Sequence, residues 1–488
     1  MERGSGIIMH ITSLPNKYGI GSFGEEAFKF IDFLKNAGQK YWQVLPLGPT
    51  GYGDSPYQCF SAFAGNPYFI GLDLLVKDGL LRLEDIENID LGQEKERVDY
   101  YKIFKNKMEI LKKAYKNNKE SLEEFKLENK NWIEDYGLFM SLKNKFDLKA
   151  WYDWDKDIRF REKEAMDKYK KELEDEIGYW IFLQYVFHKQ WSSLKEYANS
   201  NGIKIIGDIP IYVAGDSCDV WANHKMFLLD EERVPLRVAG CPPDYFSETG
   251  QLWGNPLYNW EYLDKNNYIW WINRIKTSLK LYDVVRIDHF RGFEAFWSIP
   301  YGDKTAINGE WVKGPGIKLF NKIKDELGEV NIIAEDLGLL TQEVIDFLKE
   351  TGFPGMKVLQ FAFSRDYESQ YVPHNHIKNC VVYTGTHDND TFLGWFQDEK
   401  NKGDVEYAKE YLKLSEEEGY NWGFIRGAWS SVAALAMAPL QDFLGLDNNY
   451  RMNRPSIAEN NWTWRAGEEQ LNEDLEHKIK KLTELYRR

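Results

Sequence analysis

Short apolar runs recur along the chain, and each ends in a polar or glycine-rich stretch. Eight stand out: GIIMHITSL (6–14), YWQVLPLGP (41–49), IKIIGDIPIYV (203–213), DVVRIDHF (283–290), VNIIAEDLG (330–338), GMKVLQFAF (355–363), CVVYTGTHD (380–388) and LAMAPLQ (435–441). Nearly continuous apolar runs suit strands covered on both faces, as in a parallel sheet. Helical periodicity separates several of them. In SFGEEAFKFIDFLKNAG, residues Ala27, Phe28, Ile31 and Leu34 share one face. Ser22 with Glu25 three positions on reads as a capping box, and Gly38 as a left-handed stop. TQEVIDFLKETG (341–352), NNYIWWINRIKTSLKLY and GIKLFNKIKDELG repeat the helical pattern. Eight strands alternating with helices predict an α/β fold, a (β/α)8 TIM barrel. An open doubly wound sheet is the alternative, but no phosphate-binding glycine loop follows the first run.

Two gaps are too long for simple barrel units. Residues 75–175 carry charged helical sequence, which predicts a helical insertion subdomain packed on the barrel. Residues 214–265, with CPPDYFSETGQLWGNPLYNW, are rich in glycine, proline and aromatics and read as a shaped active-site loop subdomain. Both are expected as insertions in a single catalytic barrel domain spanning 1–488, with a charged surface helix over 466–488.

Composition narrows the function. Formal net charge is -15, which argues against nucleic acid and anionic membrane as partners. Four cysteines without C-x-x-C spacing read as reduced thiols. MERGSGIIMH lacks the apolar core of a signal peptide, and no run approaches a membrane span, so the expectation is a soluble, cytoplasmic protein. Aromatics reach 15%, with 18 Trp and 29 Tyr. A large aromatic core explains this, and so do flat rings that stack on sugars; composition leaves both open.

The chemistry lies where the runs end. Asp208, Asp288, Glu335 and Asp388 close four of the eight runs, at the end where barrels carry their active sites. Any one alone reads as a capping or anchoring acid. Four together, with Arg286, His289 and His387, point to a site. Asp288 and Glu335 on neighbouring strands suit glycoside chemistry, in which one carboxylate attacks and one carboxylic acid protonates the leaving oxygen. Arg286 should favour ionised Asp288. Shielding from water should raise Glu335 and keep its proton. Metal catalysis is the competing use of such groups. It calls for a paired H-x-H on the first strand, where only His10 stands. HNH at 374–376 reads as a solvent-facing loop.

RIDHFRG, IIAEDLG and GTHDND resemble conserved regions of the 4-alpha-glucanotransferases, the amylomaltases or disproportionating enzymes of the α-amylase clan. The resemblance extends through SGIIMHITSLP, LPLGPTGYGDSPYQCFSAFAGNP, GDIPIYVAGDSCDVWAN, CPPDYFSETGQLWGNPLYNW and RMNRPSI…NNWTWR, from residue 5 to about 465. It implies a carbohydrate-metabolising glycosyltransferase that moves α-1,4-glucan segments between maltooligosaccharides by a retaining double displacement. Substrates would be maltooligosaccharides and starch or glycogen fragments. No cofactor, metal, nucleic acid or membrane is implied.

The resemblance also implies roles. Asp288 is the nucleophile, Glu335 the acid and then the base, and Asp388 the transition-state stabiliser. Arg286, His289, His387, Asp208, Tyr57 and Ser55 line the donor sugar site. Asp244, Tyr245, Phe246, Gln251 and Trp253 belong to a loop over the acceptor side. Asn461 approaches from the carboxyl end, and Tyr52 matches a remote glucan groove. Cys218 and Cys241 stand where the family often has Ala and Val, and RMNRPSIAENNW lacks that loop's usual glycines. An α-glucan hydrolase of the same clan is the alternative. A glucan-binding protein without catalysis has no need of the intact acid–nucleophile pair.

Overall fold

The computed structural model describes residues 1–92, 94–243, 247–338, 340–365, 369–455, 457 and 459–488, with the side chain of Tyr52 outside the description. Among the described residues, eight strands pair in parallel: β1 (Gly4–Ile8), β2 (Tyr41–Gln43), β3 (Lys204–Pro210), β6 (Val284–Asp288), β9 (Ile332–Ala334), β10 (Gly355–Val358), β11 (Cys380–Tyr383) and β12 (Leu435–Pro439). Seven lie within the apolar runs, and β1 begins two residues before its run. β12 returns to pair with β1. Between β9 and β10 the seam is held by Ala334 N–H donating to the Pro354 carbonyl at 3.0 Å and Met356 N–H donating to Asp336 Oδ1 at 2.6 Å. The result is a nearly closed (β/α)8 barrel.

Side chains on a strand alternate between two faces, and here the faces feed two cores. Ile8, Tyr41, Ile206, Val284, Ile333, Val381, Tyr383 and Met437 pack together inside the barrel. Ile7, Trp42, Ile205, Val285, Ile287, Ile332, Val382 and Ala436 face the helices outside. This period of two explains how VVRIDHF carries charge within an apolar run. Val285 and Ile287 turn outward, while Arg286 and Asp288 follow Val284 on the inner face, toward the mouth.

The helices Glu25–Asn36, Ile269–Leu281, Ile317–Leu327 and Gln342–Thr351 form where the periodicity places them. Gly38 (φ +70°) and Gly352 (φ +73°) supply the left-handed residue after two of them. The predicted capping box does not form. Ser22 instead accepts from Asn16 and from Gly24 N–H, and the helix starts on Asp73, which accepts from Glu25 N–H at 2.8 Å. A carboxylate 48 residues away in sequence, brought in by the fold, displaces the local cap.

Residues 72–200 are helical in several pieces, ending in the 27-residue helix Glu174–Ser200, which packs on Ile133–Lys145. The segment read as a loop at 214–265 holds two strands, β4 (Arg237–Cys241) and β5 (Gln251–Pro256). They join β7 (Ala295–Pro300) and β8 (Glu310–Lys313) in an antiparallel sheet ordered β5-β4-β7-β8. Glycine and proline hide the strand pattern there, and β4 acquires its partner β7 from the far side of β6. The terminal helix Glu473–Leu485 buries Ile479 and Thr483. Among the described residues, no helix is long and apolar enough to cross a membrane.

Candidate active site

Register assembles the centre. Asp208 of β3 lies beside Arg286 of β6, and Ile287 beside Ala334 of β9. One residue further, Asp288 and Glu335 stand at the same level on adjacent strands, whose spacing is about 4.8 Å. The guanidinium of Arg286 donates to Asp208 Oδ2 at 2.6 Å and pairs with Asp288 Oδ1 at 3.0 Å. Asp208 and Arg286 are almost wholly buried, while the Asp288 side chain is 30% exposed to the mouth. Asp208 therefore sits deeper than a strand-end acid. It also accepts from the Tyr57 hydroxyl at 2.8 Å. A cavity of about 50 Å³ behind it is lined by Tyr57, Asp208, Ser61, Arg274 and Ser278.

Among the described residues, no guanidinium pairs with Glu335 as Arg286 does with Asp288. Its two oxygens accept from His289 N–H and Leu337 N–H, both at 2.7 Å. His289 points its amide there by taking a left-handed backbone (φ +52°), a conformation that costs a non-glycine residue on the order of 1–3 kcal/mol. Burial first, and then the charge of Asp288, push Glu335 up to about 7, against Arg286 and the two amides. Asp288 is raised as well, chiefly by burial, with Arg286 the main opposing influence. Arg286 thus favours the ionised acid as expected, but burial outweighs it. The pair shares its protons unequally: Arg286 contacts Asp288, so the proton favours Glu335. His289 and His10 are pushed down to about 3 by burial, so both rings are neutral at pH 7.

Loops complete the mouth. Tyr57 stacks on His387, with centroids 4.9 Å apart at 14°, and Trp462 leans on both rings at 6.0 Å. Ser55 accepts from Tyr57 N–H at 3.3 Å and so braces its turn. His387 Nε2 lies 3.4 Å from Asp388. Asp388, five residues beyond β11, is held from the other side: Asn453 donates to its Oδ1 at 2.6 Å, and Arg451 bonds its carbonyl and Asp390. Trp253 and Gln251 arrive on β5. The indole N–H donates to Gln251 at 3.1 Å, and the ring meets His289 edge-on at 4.8 Å and 90°.

The structure thus brings together Asp208, Arg286, Asp288, Glu335, His289, Tyr57, His387, Asp388, Trp253 and Gln251. Asn461 turns into its own loop: its amide donates to the Ile457 carbonyl at 2.6 Å and its oxygen accepts from Arg454 N–H at 2.9 Å. Asp244, Tyr245 and Phe246 lie outside the described residues, as does the Tyr52 side chain. HNH is not uniformly solvent-facing, since His376 is buried between Ser431 Oγ at 2.7 Å and the Tyr371 carbonyl at 2.8 Å. Trp462, Arg451 and Asn453 escaped the reading of residues, because no periodicity marks their loop.

A family model described as 4-alpha-glucanotransferase matches residues 9–470. The chain belongs to that family. It is 59% identical to the 4-alpha-glucanotransferase of Clostridium butyricum, over 98% of this chain and 100% of that one. It is 47% identical to that of Thermus thermophilus, over 95% of each. The solved amylomaltase from Streptococcus agalactiae in complex with acarbose superposes with a TM-score of 0.97 at 44% identity, covering both chains fully. With full-length identity at this level the family's activity, 4-alpha-glucanotransfer, belongs to this chain.

Proposed function

We propose that the enzyme moves α-1,4-glucan segments between maltooligosaccharides by a retaining double displacement, with Asp288 as nucleophile and Glu335 as acid and then base. One observation carries this reading: two carboxylates at one level on paired strands, with Arg286 contacting only one of them. Carboxylates about 5 Å apart suit a nucleophile and acid that act with retention. An Asp288 oxygen attacks the anomeric carbon as the glycosidic oxygen takes the Glu335 proton and leaves. That forms a glycosyl ester on Asp288 and a carboxylate at Glu335. The carboxylate then takes the proton of an acceptor 4-hydroxyl, whose oxygen displaces Asp288 and returns both groups to their starting states.

Arg286 and Asp208 hold the nucleophile in place from below. Asp388, steadied by Asn453 and His387, meets ring hydroxyls on the donor side, where Tyr57 and His387 present a flat stacked face. Trp253 and Gln251 shelter the acceptor side, so that a sugar hydroxyl outcompetes water. Maltooligosaccharides and fragments of starch or glycogen are the substrates this reading names. The acarbose complex of the Streptococcus agalactiae relative supports it. Maltotriose alone should yield glucose and a ladder of longer and shorter products with little rise in reducing ends. Net hydrolysis from the start would favour the hydrolase alternative.

A further inference from the structure

The aromatic content has mostly gone to the core. Of the 18 tryptophans, fourteen are buried and three half-buried; Trp311 stands apart at 43% exposure. It lies on β8, a sheet edge whose four residues are all exposed. Its register partner is Trp297, with ring centroids 5.2 Å apart at 68°. The guanidinium of Arg291 lies 4.0 Å from the centre of the Trp311 ring. Exposing an indole forgoes apolar burial, and backing it with a cation fixes its orientation.

Arg291 ties this ring to the catalytic acid. It belongs to the short turn Phe290–Phe293, which follows Asp288, and Phe290 N–H of that turn donates to the Glu335 carbonyl at 3.0 Å. Through Arg291 the Trp311 ring is thus in contact with the turn that borders Glu335. Glu335 serves the leaving and entering oxygen, so the glucan arm attached to that oxygen must exit on the Glu335 side.

We propose that Trp311 is an aromatic platform for the glucan arm on the Glu335 side, stacking on the apolar face of a glucose unit beyond the one whose oxygen Glu335 serves. This rests on the roles given under Proposed function. The surroundings favour a narrow neutral chain over a protein partner. Along the strand Glu310 precedes Trp311 and pairs with Arg237 at 3.0 Å, and Lys313, two residues on and on the same face as Trp311, pairs with Glu294. Such flanks break up the contiguous apolar patch that a second protein would bury.

The test compares acceptors of different length with α-maltotriosyl fluoride as common donor. Glucose as acceptor reaches only the position next to Glu335, whereas maltohexaose extends past it. Trp311→Ala should raise the KM for maltohexaose about tenfold, with the KM for glucose and both kcat values within about twofold of the parent. Trp311→Phe keeps a ring in the sheet and should recover most of the loss, which separates stacking from a folding defect. An unchanged ratio of the two KM values in both variants would overturn the platform. So would an equal rise for both acceptors. If the parent transfers to neither acceptor, the catalytic roles fall and this inference with them. If the parent transfers to both and the ratio stays fixed, this inference alone fails.

Discussion

The mouth of the barrel is built in two ways, and the two halves differ in what holds them. Asp208, Arg286, Asp288 and Glu335 sit on or one residue past strands, where backbone register fixes their spacing. They are ionisable groups in the barrel interior, so a charge there needs a partner, as Asp208 and Asp288 have in Arg286. Asp388, His387 and Tyr57 sit on loops, and their places depend on side chains from remote segments, such as Asn453 at 2.6 Å from Asp388. The Asp388 side chain is 49% exposed. Rigidity through register demands charge balance; rigidity through loop contacts costs less but is easier to lose. Substitutions that leave a buried charge of the first half without its partner should therefore disturb stability as well as activity, and those in the second half should disturb activity alone.

The largest effect should come from Asp288→Asn. An amide of the same size preserves packing and removes the nucleophile, so kcat should drop by roughly four orders of magnitude or more. Arg286 keeps its bond to Asp208, so thermal unfolding should shift little. Arg286→Met tests the charge balance itself. It leaves Asp208 and Asp288 unpaired in the interior, and the expected loss is about 3–5 kcal/mol of stability in urea unfolding. An equally deep loss for Asn453→Ala would erase the distinction between the halves.

Glu335 offers a sharper test through pH. Its folded value of about 7 lies above the ordinary 4.5, so the folded state holds this proton more tightly than the unfolded state does. The contribution to stability is fully present below the unfolded value and is lost as pH rises toward about 7. Glu335→Gln cannot ionise, so its melting temperature should match the parent near pH 4 and exceed it at pH 8. In the parent, kcat/KM should fall about tenfold per pH unit well above 7, as the acid loses its proton. The smallest effect belongs to the loop half. Asn453→Ala releases the half-exposed Asp388 side chain from its working position, so kcat should fall about tenfold, while water replaces the lost bond and the melting temperature moves little.

Much of this was legible before any fold. The eight runs mark the eight barrel strands, because strands buried on both faces leave long apolar signatures. The acids at their ends follow from the barrel's geometry. The antiparallel sheet was not legible. β4 and β5 carry Gly240, Pro256 and Gly254, and only pairing with β7 makes them strands. Asn453 and Arg451 gave no signal of their own either, since nothing in a loop's composition says which remote carboxylate it will meet.

Sequence alone determined the barrel, the inward alternation that brings Arg286 and Asp288 to one face, and the family, because these depend on local periodicity and contiguous motifs. Tertiary structure alone decided the cap that Asp73 gives the helix Glu25–Asn36, the turning of Asn461 into its own loop, and the proton's preference for Glu335. Each of these depends on groups far apart in the chain, whose distances and burial exist only once the barrel has closed around them.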